Sequence, residues 1–151
     1  MSMEINDDKV LLKLRLNIAN IPKDEATMTE CHDTLATYME PYVPMKEGIL
    51  LGSVQVTPQY VRYGGPSAPY AHYQFEGIVY GPNIPIIENG VIVGWWSPPN
   101  KQPTGQPINY SPDIHPQATH HWHEAMMRDR RDEFTNDIKT IIVDRLNKGG
   151  K

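Results

Sequence analysis

The sequence has little cysteine and no long apolar run, and each shortage excludes a class of protein. Cys31 is the only cysteine in 151 residues, which rules out an internal disulfide and a thiolate zinc finger. No apolar stretch approaches the roughly 18 to 20 residues that a membrane-spanning helix needs. The first ten residues, MSMEINDDKV, are acidic and lack the basic-then-apolar order of a signal peptide. We therefore expect no membrane association, and a location in the cytoplasm of the cell that makes the protein.

An excess of positive charge is also missing. The formal net charge is -4 at pH 7, which argues against a protein whose main task is to grip a phosphate backbone. We expect no sequence-specific binding of nucleic acid. The length fits a single domain, residues 1–151, which is large enough to bury a core without disulfides.

The N-terminal third of the chain changes its hydrophobic period once. Residues 9–18, KVLLKLRLNI, are apolar at every second position from Val10 to Ile18, which predicts a strand with one buried face. In residues 22–40 the apolar side chains recur at three- and four-residue steps, which predicts a helix with Pro22 in its first turn. The predicted buried stripe of this helix comprises Met28, Cys31, Leu35, Tyr38 and Met39.

Turn signals divide the middle of the chain. Thr57-Pro58 lies between two short apolar stretches, which predicts two strands within residues 53–63. Residues 70–77 have helical spacing, and Gly77 can end that helix in a left-handed conformation. Asn89-Gly90 lies between two β-branched runs, which predicts a two-residue hairpin.

Proline is abundant, with 14 residues in all and eight of them between Pro82 and Pro116. Residues 97–116 contain six, so we expect a long irregular arm there. The hairpin and this arm together form an insertion at about residues 84–113. A loop of this length without regular structure is usually functional or disordered.

The last segment, residues 117–147, contains no proline or glycine and is predicted to be helical. The apolar residues before and after the charged sequence RDRRD form two faces. Around the helix axis, the directions of these faces differ by roughly 120° to 140°. We therefore expect a C-terminal helix broken near residues 128–132. The order of elements predicts an α+β fold, a small and mainly antiparallel sheet with helices packed on one side.

The sequence HPQATHHWHEAMM, residues 115–127, holds four of the six histidines. A zinc-protease helix needs a second histidine four residues after His123, and that position is Met127. His120 with His123, or His120 with Glu124, share a helical face and could bind a metal. Zinc requires three or four ligands, so the alternative is a helix start in which Trp122 packs.

No other group of residues predicts chemistry. Cys31 falls on the apolar stripe of the first helix, which favours a buried thiol over a nucleophile. Ser53 lacks the flanking glycines of an esterase turn. We therefore predict that the protein is not an enzyme and needs no cofactor.

Trp95 and Trp96 are adjacent in a predicted strand, so their side chains point to opposite faces. Both cannot enter the same core. One of them is expected to meet another chain or to lie under the proline-rich arm.

Three stretches taken together resemble a family of tailed-phage minor capsid proteins. PYVPMKEGILLGSV, SAPYAHYQFEG and HPQATHHWHEAMM match three elements of that family in order and approximate spacing. The residues that match the pattern, which the resemblance implies to be architectural, are Tyr42, Pro44, Gly48, Ser53, Tyr70, Ala71, Gly77, Pro116, Ala118 and Trp122.

The resemblance implies a structural virion protein of the phage neck, made in the host bacterial cytoplasm. Such tail-completion proteins form rings, often of six subunits, between head-closure and tail-terminator or tail-tube proteins, and DNA passes through the ring. The alternative from the residues is a metal-dependent enzyme or metal-binding module built on the histidines of residues 115–124. A third hypothesis is a monomeric adaptor that binds peptides through its aromatic loops.

Overall fold

A computed structural model describes residues 1–16, 24–45, 47–96 and 101–149 of the chain, and it shows the predicted α+β fold. The central feature is a four-stranded antiparallel sheet with the strand order β1-β2-β4-β3. Its strands are β1 (Ser2–Asn6), β2 (Leu11–Arg15), β3 (Gln55–Val56) and β4 (Val61–Arg62).

Strand β2 shows the predicted alternation of buried and exposed side chains. Leu12 and Leu14 are buried on one face, whereas Arg15 is exposed and forms an ion pair with Glu4 of β1. Ile18, the last residue of the predicted stripe, lies outside the described residues. Strand β1 was not anticipated, although Met3 and Ile5 alternate with polar residues, because two apolar positions are a short signal.

Helix α1 (Glu25–Met39) packs on this sheet. Asp24 caps it, since the Thr27 backbone N–H donates to Asp24 Oδ1 at 3.3 Å. Four residues of the predicted stripe are buried, and the fifth, Tyr38, is partly buried with its ring 5.5 Å from that of Phe134. Pro22 lies outside the described residues.

Short elements follow α1. The 3-10 turn Glu40–Tyr42, α2 (Ile49–Gly52) and α3 (Ala71–Glu76) are all brief. The predicted turn at Thr57-Pro58 is confirmed, since Thr57 N–H donates to Tyr60 O between β3 and β4. Gly77 ends α3 with a φ of +76°, also as predicted.

Two further antiparallel pairs leave the main sheet. Strands β6 (Ile84–Glu88) and β7 (Val91–Trp96) form the predicted hairpin. Asn89 and Gly90, with φ of 51° and 76°, occupy its two-residue turn. Positive φ at both positions is what a type I′ turn requires.

The prediction of an irregular arm was wrong for part of residues 97–116. Gln102–Pro107 is a strand, β8, which pairs with β5 (Ile78–Gly81) in a two-stranded sheet. Proline is tolerated there because β8 hydrogen-bonds to a single partner, so a missing N–H can face away from the ladder. Residues 97–100 lie outside the described part of the chain.

The last helix, α4 (Trp122–Gly149), begins five residues later than predicted. Residues before it are held by contacts to other elements, and His121 has a φ of 42°, which a helix cannot include. The predicted break is confirmed at Arg130, whose φ and ψ are -134° and 23°. Before the break Trp122 and Met126 are buried, and after it Phe134, Ile138 and Ile142 are.

Candidate functional site

The three stretches that carry the phage resemblance converge in space. We call residues 42–45, 47–53, 70–77 and 115–122 together the junction. Thr119 N–H donates to Tyr42 O at 3.0 Å, and His121 N–H donates to Phe75 O at 2.8 Å. The His115 ring bonds Val43 O through Nδ1 at 2.8 Å. Backbone and ring hydrogen bonds therefore fasten the segment before α4 to two distant parts of the chain.

At two glycines, backbone segments approach each other so closely that a side chain would not fit. A methyl group at Gly77 would lie 2.5 Å from His120 Cβ, so only glycine fits between α3 and that segment. At Gly64 a methyl group would lie 2.9 Å from Ala71 Cβ. Gly48 has a φ of +78° directly before α2, a conformation that favours glycine.

Ser53 links two parts of the backbone through its hydroxyl. Its side chain is buried, its hydroxyl donates to Leu50 O at 2.5 Å, and it accepts from Gly64 N–H at 2.8 Å. Both hydrogen-bonding roles of the hydroxyl are thus taken by backbone groups.

Trp122 lies at the centre of the junction with no exposed surface. Its ring meets those of Phe75 and Tyr63 edge to face, with centroids 4.7 Å and 5.1 Å apart. Such pairs add to the burial term, so Trp122 holds α4 to the sheet and to α3. Tyr42 is buried nearby, Ala118 is partly buried, and Pro116 is exposed.

One face of the junction opens into a cleft of about 620 Å³. Pro44 and Gly48 form one wall, Tyr70 and Gln74 another, and Tyr110 reaches in to donate its hydroxyl to Gln74 O. Burial raises the pKa of Tyr110 to about 12, so this hydroxyl stays protonated. The cleft offers an aromatic and apolar lining with few charges, which suits docking of another surface.

Three of the four histidines of the 115–124 segment lie side by side. The centroid of the His121 ring is 5.3 Å from that of the exposed His120 and 5.9 Å from that of His123, and both His121 and His123 pack on Phe75. His115 instead bonds the Val43 backbone. Among the described residues, the side chains of this segment do not bring three ligand atoms within 4.8 Å of one another. Burial lowers the pKa of His123 and so favours its neutral form. Glu124 is exposed, with its carboxylate 3.8 Å from His121 Nδ1.

Among the described residues, three potential metal ligands do come together, at a place the sequence analysis did not consider. Asp8, His72 and Glu76 each offer an atom within 4.8 Å of the others. The sequence signal was only the four-residue spacing of His72 and Glu76, since Asp8 is 64 positions away from His72 in the chain.

His32 is a second residue that the sequence analysis missed. It is fully buried, its Nε2 accepts from Leu14 N–H at 3.0 Å, and its Nδ1 donates to Thr57 O at 2.9 Å. These two bonds fix a neutral ring that joins α1 to β2 and to the β3–β4 turn. Burial lowers the pKa of this imidazole. The signal was present, because position 32 falls on the helical stripe four residues after Met28.

Cys31 is buried beside it, and burial raises the pKa of its thiol to about 11. A thiol in this state carries little thiolate at neutral pH, so it is a poor nucleophile.

The β6–β7 hairpin presents a different kind of surface, which we call the apolar hairpin (residues 84–96). Ile84 opposes Trp96 on one face, while Trp95 and the Ile87–Ile92 pair lie on the other. Both faces are exposed to solvent, with exposed fractions of 60% at Trp95 and 55% at Trp96. Glu88 is the one charged residue in this segment.

Of the two alternatives for these tryptophans, cover by the proline-rich arm is not seen in its described part. Strand β8 of that segment pairs with β5, and Trp95 and Trp96 are exposed. The other half of that expectation, contact with another chain, stays a prediction.

No helix in residues 1–16, 24–45, 47–96 and 101–149 is long and apolar enough to cross a membrane. Comparison of the chain with protein-family models, with curated proteins and with solved structures found no match.

Proposed function

We propose that this chain is a structural virion protein of a tailed phage, a neck or tail-completion component that assembles as a ring at the head–tail junction. It is not an enzyme on this account. Its partners are other copies of itself, most simply in a hexamer, and the neighbouring head-closure and tail-terminator or tail-tube proteins. DNA would pass through the ring without sequence-specific contacts.

The observation that carries the proposal is the apolar hairpin. A hairpin on a monomer usually keeps one polar face toward water. Here both faces carry large apolar side chains. A two-stranded hairpin is also marginal on its own, so packing against a further surface would stabilise it. An exposed apolar patch of this kind is typical of a protein–protein contact.

The exposed area of the two tryptophans sets how much free energy the protein would gain by covering the hairpin. Covering the exposed parts of Trp95 and Trp96 would remove roughly 250–300 Å² from water, about 7 kcal/mol at 25 cal/mol per Å². Association itself costs about 4–15 kcal/mol. The free energy gained at a single hairpin contact is therefore about equal to the cost of association. In a closed ring each subunit has two such interfaces, so the gain offsets the cost more fully.

A ring also needs a second, complementary surface on the same subunit, because a head-to-tail contact joins two different patches. The junction cleft supplies one with suitable chemistry. Ile49 and Tyr70 on its rim are exposed by 44% and 37%, and Pro44 lies beside them. We propose that the apolar hairpin of one subunit docks in this cleft of the next.

The resemblance and the geometry support each other at the junction. The residues that match the family pattern, such as Gly77 and Trp122, fasten α3 and α4 together. Pro44, Gly48 and Tyr70 line the cleft. A scaffold that positions a docking cleft is what a ring subunit requires.

The test is the composition and shape of particles. Mass spectrometry of purified virions from the phage that encodes this chain should detect it in a few copies per particle, and electron microscopy should place it in the neck. Absence of the chain from purified particles would overturn the proposal.

A further inference from the structure

We propose that Asp8, His72 and Glu76 form a binding site for a divalent transition metal, Zn²⁺ in particular. This site does not involve the histidines of residues 115–124. It also does not depend on the proposed role in a ring.

A hydrogen bond to the backbone orients the His72 ring. Its Nδ1 lies 3.2 Å from Asp7 O, a carbonyl that can only accept, so Nδ1 carries the proton. In the neutral ring, Nε2 then presents a lone pair. A backbone carbonyl on the far nitrogen is the usual partner of a metal-binding histidine.

That lone pair faces a carboxylate. His72 Nε2 lies 3.6 Å from Glu76 Oε2, and Asp8 supplies an oxygen that lies within 4.8 Å of a ligand atom of each of the other two residues. An unprotonated imidazole nitrogen and two carboxylate oxygens are all acceptors, so a cation between these side chains would give all three a partner. Metal–ligand bonds of about 2.0–2.1 Å in a tetrahedron place ligands roughly 3.4 Å apart, close to the His72–Glu76 distance.

The surroundings hold these side chains in place. Tyr80 donates its hydroxyl to Glu76 at 3.0 Å, and its ring meets the His72 ring with centroids 5.9 Å apart. Asp8 lies in the turn between β1 and β2, where Lys9 N–H donates to Asn6 Oδ1. Of the three, Asp8 is the exposed residue, so its side chain can approach a metal that the other two hold.

The ligand set selects the metal. One imidazole and two carboxylates suit Zn²⁺ and its neighbours better than Mg²⁺ or Ca²⁺, which prefer oxygen alone. Three protein ligands leave a fourth position for water. A bound metal would tie the β1–β2 turn to α3, and so to the wall of the junction.

The experiment uses tag-free full-length protein at pH 7.5, titrated with Zn²⁺ by calorimetry and with Co²⁺ by visible absorption. We expect one equivalent per chain and a tetrahedral Co²⁺ spectrum. Asp8→Asn, His72→Ala and Glu76→Gln should each weaken binding by about tenfold or more. Circular dichroism checks that each variant is folded, and the exposed position of Asp8 makes Asp8→Asn the safest of the three.

Matched controls decide between sites. Asp33→Asn changes an exposed carboxylate on α1, outside the cluster, and His120→Ala changes the 115–124 segment. Both should bind Zn²⁺ as the unmodified protein does. The proposal is overturned if the unmodified protein binds no metal. Binding that survives the three cluster variants and is lost in His120→Ala overturns it as well.

Discussion

The four-stranded sheet and the apolar hairpin both carry large apolar side chains, but these side chains end in opposite environments. In β2, leucines alternate with Lys13 and Arg15, and the leucines face α1. In β6 and β7 no such alternation exists, and both faces are apolar and exposed. The sheet thus completes its core within one chain, whereas the hairpin needs a surface that the described part of this chain does not put against it. That difference is the basis of our proposal that the protein is one subunit of an assembly.

The largest contrast should come from changing the same residue type in the two regions. Trp122→Ala removes a fully buried indole and should lower the free energy of unfolding by about 4 kcal/mol. Trp95→Ala removes an exposed one and should change the monomer by no more than about 0.5 kcal/mol. Urea unfolding of each variant, followed at a dilution that keeps the protein monomeric, makes the comparison. Equal losses would mean that the hairpin belongs to the core of the monomer.

Two glycines with the same φ allow a second comparison between the junction and the hairpin. Gly77 and Gly90 both have a φ of +76°, but a methyl group at Gly77 meets His120 at 2.5 Å while one at Gly90 meets nothing within 4 Å. Gly77→Ala should cost about 3 kcal/mol, combining backbone strain with a steric clash. Gly90→Ala should cost about 1 kcal/mol from strain alone. Thermal unfolding would contradict the account of the junction if the two costs were the same.

We expect acid to destabilise the folded protein by protonating His32 in the core. Because burial lowers its pKa in the folded state, the unfolded chain binds the proton more readily. Stability from this group is complete above about pH 6.5 and falls as the pH drops below that, by up to about 1.4 kcal/mol per pH unit. His123, whose pKa is also lowered, adds to the same slope.

The measurement is urea unfolding from pH 7.5 to pH 5. His32→Gln should be less stable at pH 7.5, since Leu14 N–H and Thr57 O lose their fitted partner, and its pH slope should be shallower. His123→Gln should remove part of the slope that remains. An unchanged slope in His32→Gln would show that its neutral ring does not contribute to acid sensitivity.

Much of the fold could be predicted because local rules and packing agree there. The Asn89-Gly90 turn, the end of α3 at Gly77 and the break near Arg130 follow from turn chemistry and hydrophobic period. Strand β8 could not be predicted, because its prolines oppose strand formation and only pairing with β5 overrides them. Strand β1 was missed because only two apolar residues, Met3 and Ile5, carry its alternation.

The candidate sites were harder to predict, for a physical reason. The 115–124 histidines look like a cluster in sequence, and the rings of His120, His121 and His123 do lie side by side. Among the described residues, however, their ligand atoms do not come together as those of a metal site would. Asp8 and His72 meet only because the β1–β2 turn packs near α3, a long-range contact with no sequence period.

The most direct test of the central claim is the mass of the protein in solution, measured by light scattering over a range of concentrations. The unmodified chain should assemble toward six copies, about 103 kDa from a 17.2 kDa chain, and a Trp95→Ala/Trp96→Ala double variant should stay monomeric. Val143→Ala/Leu146→Ala, which removes exposed apolar side chains from α4 instead, should assemble normally. A monomer at every concentration, or assembly that survives loss of both hairpin tryptophans, would contradict the account.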